Sequence, residues 1–131
     1  MTHVLALAGG VGGAKLVLGL SSLLSQERLT VVVNTGDDEE FFGLHVSPDI
    51  DTVSYNLAGI SNIEAGWGIE GESFRMLQRL ESLGVDTWFK LGDLDLATHV
   101  RRTQLLRSGH TLSETTAVSY THLTLPTTPY V

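Results

Sequence analysis

The chain of 131 residues has no cysteine, which excludes a disulfide scaffold and any thiolate-bound metal. It is also poor in positive charge: 8 Lys and Arg stand against 15 Asp and Glu, a formal net charge of −7. A non-specific nucleic-acid binder needs a basic stripe to displace counterions, so the balance argues against a nucleic-acid partner. Long apolar runs are absent as well. The first 24 residues superficially resemble a signal peptide or membrane span, but they have no positive leading segment. Lys15 interrupts them, and Gly9, Gly10, Gly12, Gly13 and Gly19 dilute them. The expectation is a soluble, cytoplasmic protein with no membrane partner.

What is present suits one small domain. Apolar residues make up 42% and charged residues 18%, enough apolar surface for a core and too much for wholesale disorder. Val4 to Ala8 is a short apolar run ending in glycines, the pattern of a buried parallel strand. From Gly12 to Leu24, the apolar positions Leu16, Val17, Leu20, Leu23 and Leu24 form a helical stripe. Leu29 to Val33 is a β-branched run and predicts a second strand. Strand, glycine loop, helix and strand make a βαβ unit, so the fold class is α/β with a Rossmann-like open sheet. Ile50 to Leu57 reads as strand or helix, with Ser47-Pro48-Asp49 as a start signal favouring the helix, and a clearer helix spans Ser73 to Leu83, closed by Gly84. Trp88 to Leu91 predicts a third strand, and Asp95 to Arg107 a further helix. Thr111-Leu112-Ser113-Glu114 fits a capping box.

After Glu114 the last 17 residues carry no Lys, Arg, Asp or Glu, and four threonines fall between Thr121 and Thr128. By composition this is a disordered or extended tail. Ten consecutive residues, Val118-Ser119-Tyr120-Thr121-His122-Leu123-Thr124-Leu125-Pro126-Thr127, resemble a translated sequencing-library adapter. The expected division is therefore 1–117 as the N-terminal part of a nucleotide-binding domain and 118–131 as a non-native tail.

Two loops carry the chemistry. Gly9-Gly10-Val11-Gly12-Gly13-Ala14-Lys15 lies between a strand and a helix, where unpaired N–H groups and the helix dipole favour phosphate. It matches neither common nucleotide motif: a P-loop needs Gly-Lys-Ser/Thr, and a dinucleotide fingerprint needs Gly or Ala at Lys15. Asn34-Thr35-Gly36-Asp37-Asp38-Glu39-Glu40 sits at the carboxyl end of the second strand, where open α/β sheets bind ligands. Ser47-Pro48-Asp49-Ile50-Asp51-Thr52 follows. Six acids lie between Asp37 and Asp51 with no Lys or Arg among them. Such a cluster either faces water or holds a cation, and oxygen ligands without cysteine suit Mg²⁺ or Ca²⁺. His45 reads as a phosphate ligand or a turn residue. Trp67, between two glycines, stacks on a flat ring or plugs a core edge. Asp95 reads most simply as a helix cap, with His99 one turn later on the same face and Arg102 beyond it. Arg75, Arg79, Arg101 and Arg107 read as surface charges.

These segments, together with Gly66-Trp67-Gly68-Ile69 and Trp88-Phe89-Lys90-Leu91-Gly92-Asp93-Leu94-Asp95-Leu96-Ala97-Thr98-His99, resemble in order the 2-phospho-L-lactate transferase (CofD-type) family. The resemblance runs from residue 4 to about Ala117. It implies an Mg²⁺-dependent enzyme of coenzyme F420 biosynthesis, moving a phospholactyl or phosphoenolpyruvyl group from a guanosine diphospho-linked donor. The acceptor is a hydroxyl of the deazaflavin FO, and GMP is released. Carried onto this sequence, Gly9, Gly10, Gly12, Gly13, Lys15, Asn34, Thr35, Gly36, His45, Ser47 and Thr52 are expected to bind substrate. Asp37, Asp38 and Asp51 are expected to be catalytic, and Asp37, Asp49 and Asp51 to hold the metal. One aspartate would accept the hydroxyl proton, and a raised pKa would mark it. Family members are longer, so the resemblance implies a truncated chain, inactive alone, from a homo-oligomeric parent, with apolar sheet surface left bare. Two other readings stay open: an NAD-type dinucleotide-binding domain with Asp37 on a ribose, and a non-catalytic regulator that binds a nucleotide sugar.

Overall fold

The computed structural model describes residues 2–124. Its elements in chain order are β1 (Val4–Ala8), α1 (Gly10–Leu23), β2 (Leu29–Val33), β3 (Glu39–Phe41), β4 (Leu44–Val46), α2 (Pro48–Ala58), α3 (Arg75–Ser82), α4 (Asp93–Arg107) and α5 (Leu112–Thr124), with a 3-10 turn at Gln26–Arg28. The α/β expectation holds, and both strands of the βαβ unit fall where the apolar runs place them. They pair in parallel, Ala6 opposite Val31 and Ala8 opposite Val33.

The period of two in a strand decides which side of this sheet is packed. Ala6 and Ala8 are buried with Ala14 and Val17 of α1 and Val53 of α2, and Val31 and Val33 lie against them. The small residues let α1 come close. A Cβ at Gly13 would lie 3.0 Å from the Ala8 backbone, so this glycine serves helix–strand packing. The opposite face is bare: Leu5 is 61% and Leu7 74% exposed, and Val32 is open beside them. Parallel sheets are ordinarily covered on both faces, so this face carries the bare apolar surface expected from the sequence.

Three features depart from the sequence reading. Glu39 to Val46 forms an antiparallel hairpin, with Glu39 opposite Val46 and Phe41 opposite Leu44. Its two-residue turn is Phe42-Gly43, both at positive φ (53° and 75°), the mirror-image geometry that hairpins favour. Asn-Gly or Asp-Gly would have flagged it; Phe-Gly does not. Trp88 to Leu91, expected as a strand, is irregular. The Phe89 ring stacks on Phe41 at 4.3 Å, and Trp88 packs edge-on to both, so this segment satisfies its apolar side chains by aromatic contact instead of a backbone ladder.

The third departure is the expected extended tail. The capping box at Thr111 and Glu114 forms, but α5 runs on through Thr124, so residues 118–124 are helical. Residues 125–131, the rest of that expected tail, lie outside the described residues. Among those described, no helix is long and apolar enough to cross a membrane.

The two faces of the sheet should respond differently to substitution. Val17→Ala empties a buried site and is expected to cost about 2 kcal/mol in a urea titration. Leu7→Thr should change stability by no more than about 0.5 kcal/mol while lowering hydrophobic-dye binding. An equal loss for both would show that the exposed face is packed in solution.

Candidate active site

The amino end of α2 separates two groups of side chains. Asp49 and Asp51 are two residues apart, so the helix turns their carboxylates to different sides. Asp49 faces the glycine loop. Its Oδ1 accepts the Gly10 N–H (3.0 Å) and its Oδ2 the Asn34 side-chain amide (2.8 Å). Asn34 in turn accepts the Gly36 N–H (3.0 Å) and lies 3.4 Å from Asp37. Both oxygens of Asp49 are thereby engaged in tying α1 to the end of β2. The Gly13 N–H returns to Gly9, leaving those of Val11 and Gly12 as the orphan donors of the first turn. Lys15 is exposed one turn along α1, and Thr35 lines a separate groove between β2 and α5.

Asp38 sits between. Its Oδ2 accepts the Ser47 hydroxyl (2.7 Å) and lies 3.1 Å from His45 Nε2, while its Oδ1 is buried without a partner. His45 and Ser47, expected to bind substrate, therefore spend their side chains on Asp38. The His45 backbone is held too, its N–H donating to Thr103 Oγ1 (2.8 Å) and its carbonyl accepting from Arg102.

The second group joins α2 to α4. Arg102 is 2% exposed, and its guanidinium donates to Asp51 Oδ1. Its other nitrogen lies 3.2 Å from both the His45 carbonyl and His99 Nδ1. His99, fully enclosed, stands 3.6 Å from Asp51 Oδ2 through Nδ1 and 3.1 Å from Asp95 Oδ2 through Nε2. The Tyr55 hydroxyl donates to Asp95 Oδ1 (2.6 Å) and pairs with Thr98 (2.8 Å). Asp51 Oδ2 and His99 Nε2 have no properly aligned hydrogen-bond partner. Asp51, Asp95, His99, Tyr55 and Thr52 line a cavity of about 360 Å³ that Trp67, Trp88 and Phe89 also border.

Of the residues expected as metal ligands (Asp37, Asp49 and Asp51), the structure gathers no set of three. Among the described residues the one group close enough to share an ion is Asp51, Asp95 and His99. Asp95 is not a helix cap: α4 begins at Asp93, so Asp95 lies within the first turn and turns its carboxylate to Tyr55. Arg102 and Tyr55 were not singled out as site residues from sequence. The signal for Arg102 was its spacing, seven residues after Asp95 and three after His99, which puts all three on one helical face.

Electrostatics separates the carboxylates further. Burial pushes Asp51 up to about 6 from an ordinary 3.8, against the pull of Arg102. For Asp95 burial acts in the same upward direction, but the His99 ring and the Tyr55 hydroxyl outweigh it and hold the group low. Tyr55 is raised by burial and by the nearby Asp51 and Asp95 charges, so it stays a donor.

A reciprocal clamp aims α4. Glu72, ahead of α3, accepts the Leu94 N–H (2.7 Å) and the Asp95 N–H (2.9 Å) at the start of α4. Asp93, the first residue of α4, accepts the Met76 (3.1 Å) and Arg75 (3.3 Å) N–H groups of α3 and the Ser73 hydroxyl (2.8 Å). These donors, the Met76 N–H foremost, hold the Asp93 carboxyl below its ordinary range. A Cβ at Gly92 would overlap the Glu72 carboxyl group.

Residues 4–127 match the model of the family described as 2-phospho-L-lactate transferase CofD. The chain belongs to the CofD family. The phosphoenolpyruvate transferase of Streptomyces griseus is 48% identical over 115 residues, 87% of this chain and 36% of that protein. The 2-phospho-L-lactate transferase of Methanocorpusculum labreanum is 47% identical over 109 residues, 83% of this chain and again 36% of the relative. The phosphoenolpyruvate transferase of Mycobacterium tuberculosis (strain ATCC 25177 / H37Ra) is 44% identical over 127 residues, 86% of this chain and 38% of that protein. The chain thus spans little more than a third of the length of these CofD relatives. The family's description and the names of these relatives are those of transferases.

Two measurements probe this site. Glu72→Ala removes two caps and should cost about 1 kcal/mol. Gly92→Ala displaces the Glu72 carboxyl group and should cost about as much, about 1 kcal/mol, and less in the Glu72→Ala background, as a double-mutant cycle by urea titration would show. The pH dependence follows from Asp51. Its raised pKa gives a contribution to stability that is complete below about 3.8 and lost as pH rises through about 6. The stability difference between the wild type and Asp51→Asn should therefore change across that window, and a flat difference would show that Asp51 titrates normally.

Proposed function

We propose that the chain forms the glycine-loop and carboxylate part of a transferase that moves a phospholactyl or phosphoenolpyruvyl group from a guanosine diphospho-linked donor to a hydroxyl of the deazaflavin FO, releasing GMP. Asp51 carries the proposal, being a buried carboxylate with one oxygen unpartnered beside a cavity bordered by aromatic rings. An acceptor of this kind takes its donor from water or from a ligand that displaces the water. The acceptor hydroxyl supplies that donor. Asp51 takes its proton as the oxygen attacks the phosphorus of the donor, and the bond to the GMP oxygen breaks. Trp67, Trp88 and Phe89 border the cavity with faces and edges suited to a planar ring.

The orphan N–H groups of Val11 and Gly12, at the positive end of α1, take the donor's phosphates. Asp49 positions the loop for them. The donor set at Asp38 fits Mg²⁺: its Oδ1 is an enclosed hard oxygen without a partner. Asp37 stands next to it in the chain. Asp49, with both oxygens occupied, fits less well. Bound there, the ion would neutralise charge on the diphosphate. In this reading the chain alone is inactive, because it lacks nearly two-thirds of the length of its relatives.

A chimera tests the reading. Residues 4–117 would replace the matching segment of the Streptomyces griseus relative, and conversion of FO would be followed by mass spectrometry. Formation of the phospho-linked product with release of GMP is expected, and Asp51→Asn should lower the rate by about 100-fold or more. Unchanged turnover in that variant would remove Asp51 as the base. A folded chimera that binds GDP and Mg²⁺ without turnover would favour a nucleotide-binding regulator.

A further inference from the structure

The cluster of Asp51, His99 and Asp95 has the residue types of a metal site, and its ligand atoms lie within 4.8 Å of one another. Its neighbour argues otherwise. A guanidinium has only donors and does not lose its proton in a protein. The Arg102 nitrogen 3.2 Å from His99 Nδ1 therefore requires Nδ1 to present its lone pair. In the neutral ring the proton must then reside on Nε2, 3.1 Å from Asp95 Oδ2. A metal-bound imidazole has the opposite need: one nitrogen holds the ion while the other donates its N–H to an acceptor. Nε2 carries the proton and Nδ1 faces a donor, so neither nitrogen is open to an ion. The same guanidinium also engages Asp51 Oδ1.

We propose that Arg102 is a positioning residue that fixes His99 as the Nε2–H tautomer and makes this cluster a hydrogen-bonding site for an alcohol instead of a metal site. Two groups remain without an aligned protein partner once Arg102 is in place, the Asp51 Oδ2 acceptor and the His99 Nε2–H, which stands 3.1 Å from Asp95 Oδ2 but is not aligned with it. Both are enclosed, on residues 5% and 1% exposed. An alcohol hydroxyl, like the water it would displace, both donates and accepts, and so answers both. A carboxylate would meet the Asp51 charge, and an ammonium could not accept from Nε2. The inference rests on the reading of Asp51 as the group that receives the acceptor hydroxyl, and deepens it by naming what holds the site in that state.

The test needs no turnover. In the full chain labelled with ¹⁵N, a long-range ¹H–¹⁵N spectrum should show His99 protonated at Nε2 and bare at Nδ1. That pattern should persist when Zn²⁺ is added. Arg102→Lys keeps the charge but loses the fork and should give a mixture of tautomers; Arg102→Met should let Zn²⁺ shift the His99 signals. A wild-type ring protonated at Nδ1, or Zn²⁺ displacing the Nε2 proton, would overturn the proposal. If the Arg102 variants do not fold, the wild-type spectra with and without Zn²⁺ still decide it. A chimera without transferase activity but with the expected tautomer would reject the function and leave the Arg102 assignment standing.

Discussion

Arg102 has almost no contact with water, and the arrangement of α2, α4 and the hairpin follows from that fact. An enclosed guanidinium must be matched by an opposite charge and by acceptors for its remaining protons. Asp51 supplies the charge from α2, the His45 carbonyl an acceptor from β4, and His99 another from within α4. Three separate segments are thereby held in one register. Removing a partner of such a pair is far more costly than never having buried it, so the ion pair acts as a constraint on geometry more than as a source of stability. The Glu72 and Asp93 clamp performs a related task with partial charges, each acid closing the amino end of the other's helix.

Much of the backbone was legible because its signals are local. The β1 and β2 runs are apolar and β-branched, Ser47-Pro48 opens α2, and the Thr111 and Glu114 capping box opens α5. What could not be read required partners distant in sequence. Trp88 and Phe89 have the composition of a strand, yet Phe89 stacks on Phe41, nearly fifty residues earlier, and Trp88 meets that ring edge-on. The Phe42-Gly43 turn places a non-glycine residue at positive φ, a choice that tertiary contacts enforce and propensity does not announce.

The site shows the same limit. The sequence pointed to particular loops: the glycines lie at the start of α1, Asp38 between β2 and β3, and Asp49 and Asp51 in the first turn of α2. Roles were harder, since alternate residues of a helix face different ways. Asp49 turned to the glycine loop and Asp51 to α4, a division that spacing within one helix permits but cannot assign. Arg102 was hidden for another reason. Its spacing sets it near Asp95 and His99 on α4, but the acid that buries it, Asp51, lies 51 positions upstream and no local pattern links the two.

The chain holds two tryptophans, Trp67 and Trp88, and both border the cavity beside Asp51. They are also substantially exposed there, at 50% and 68%. Indole emission therefore originates entirely from the rim of this one cavity. The chain carries its own optical reporter: an aromatic ligand entering the cavity would be read by both of its indoles at once.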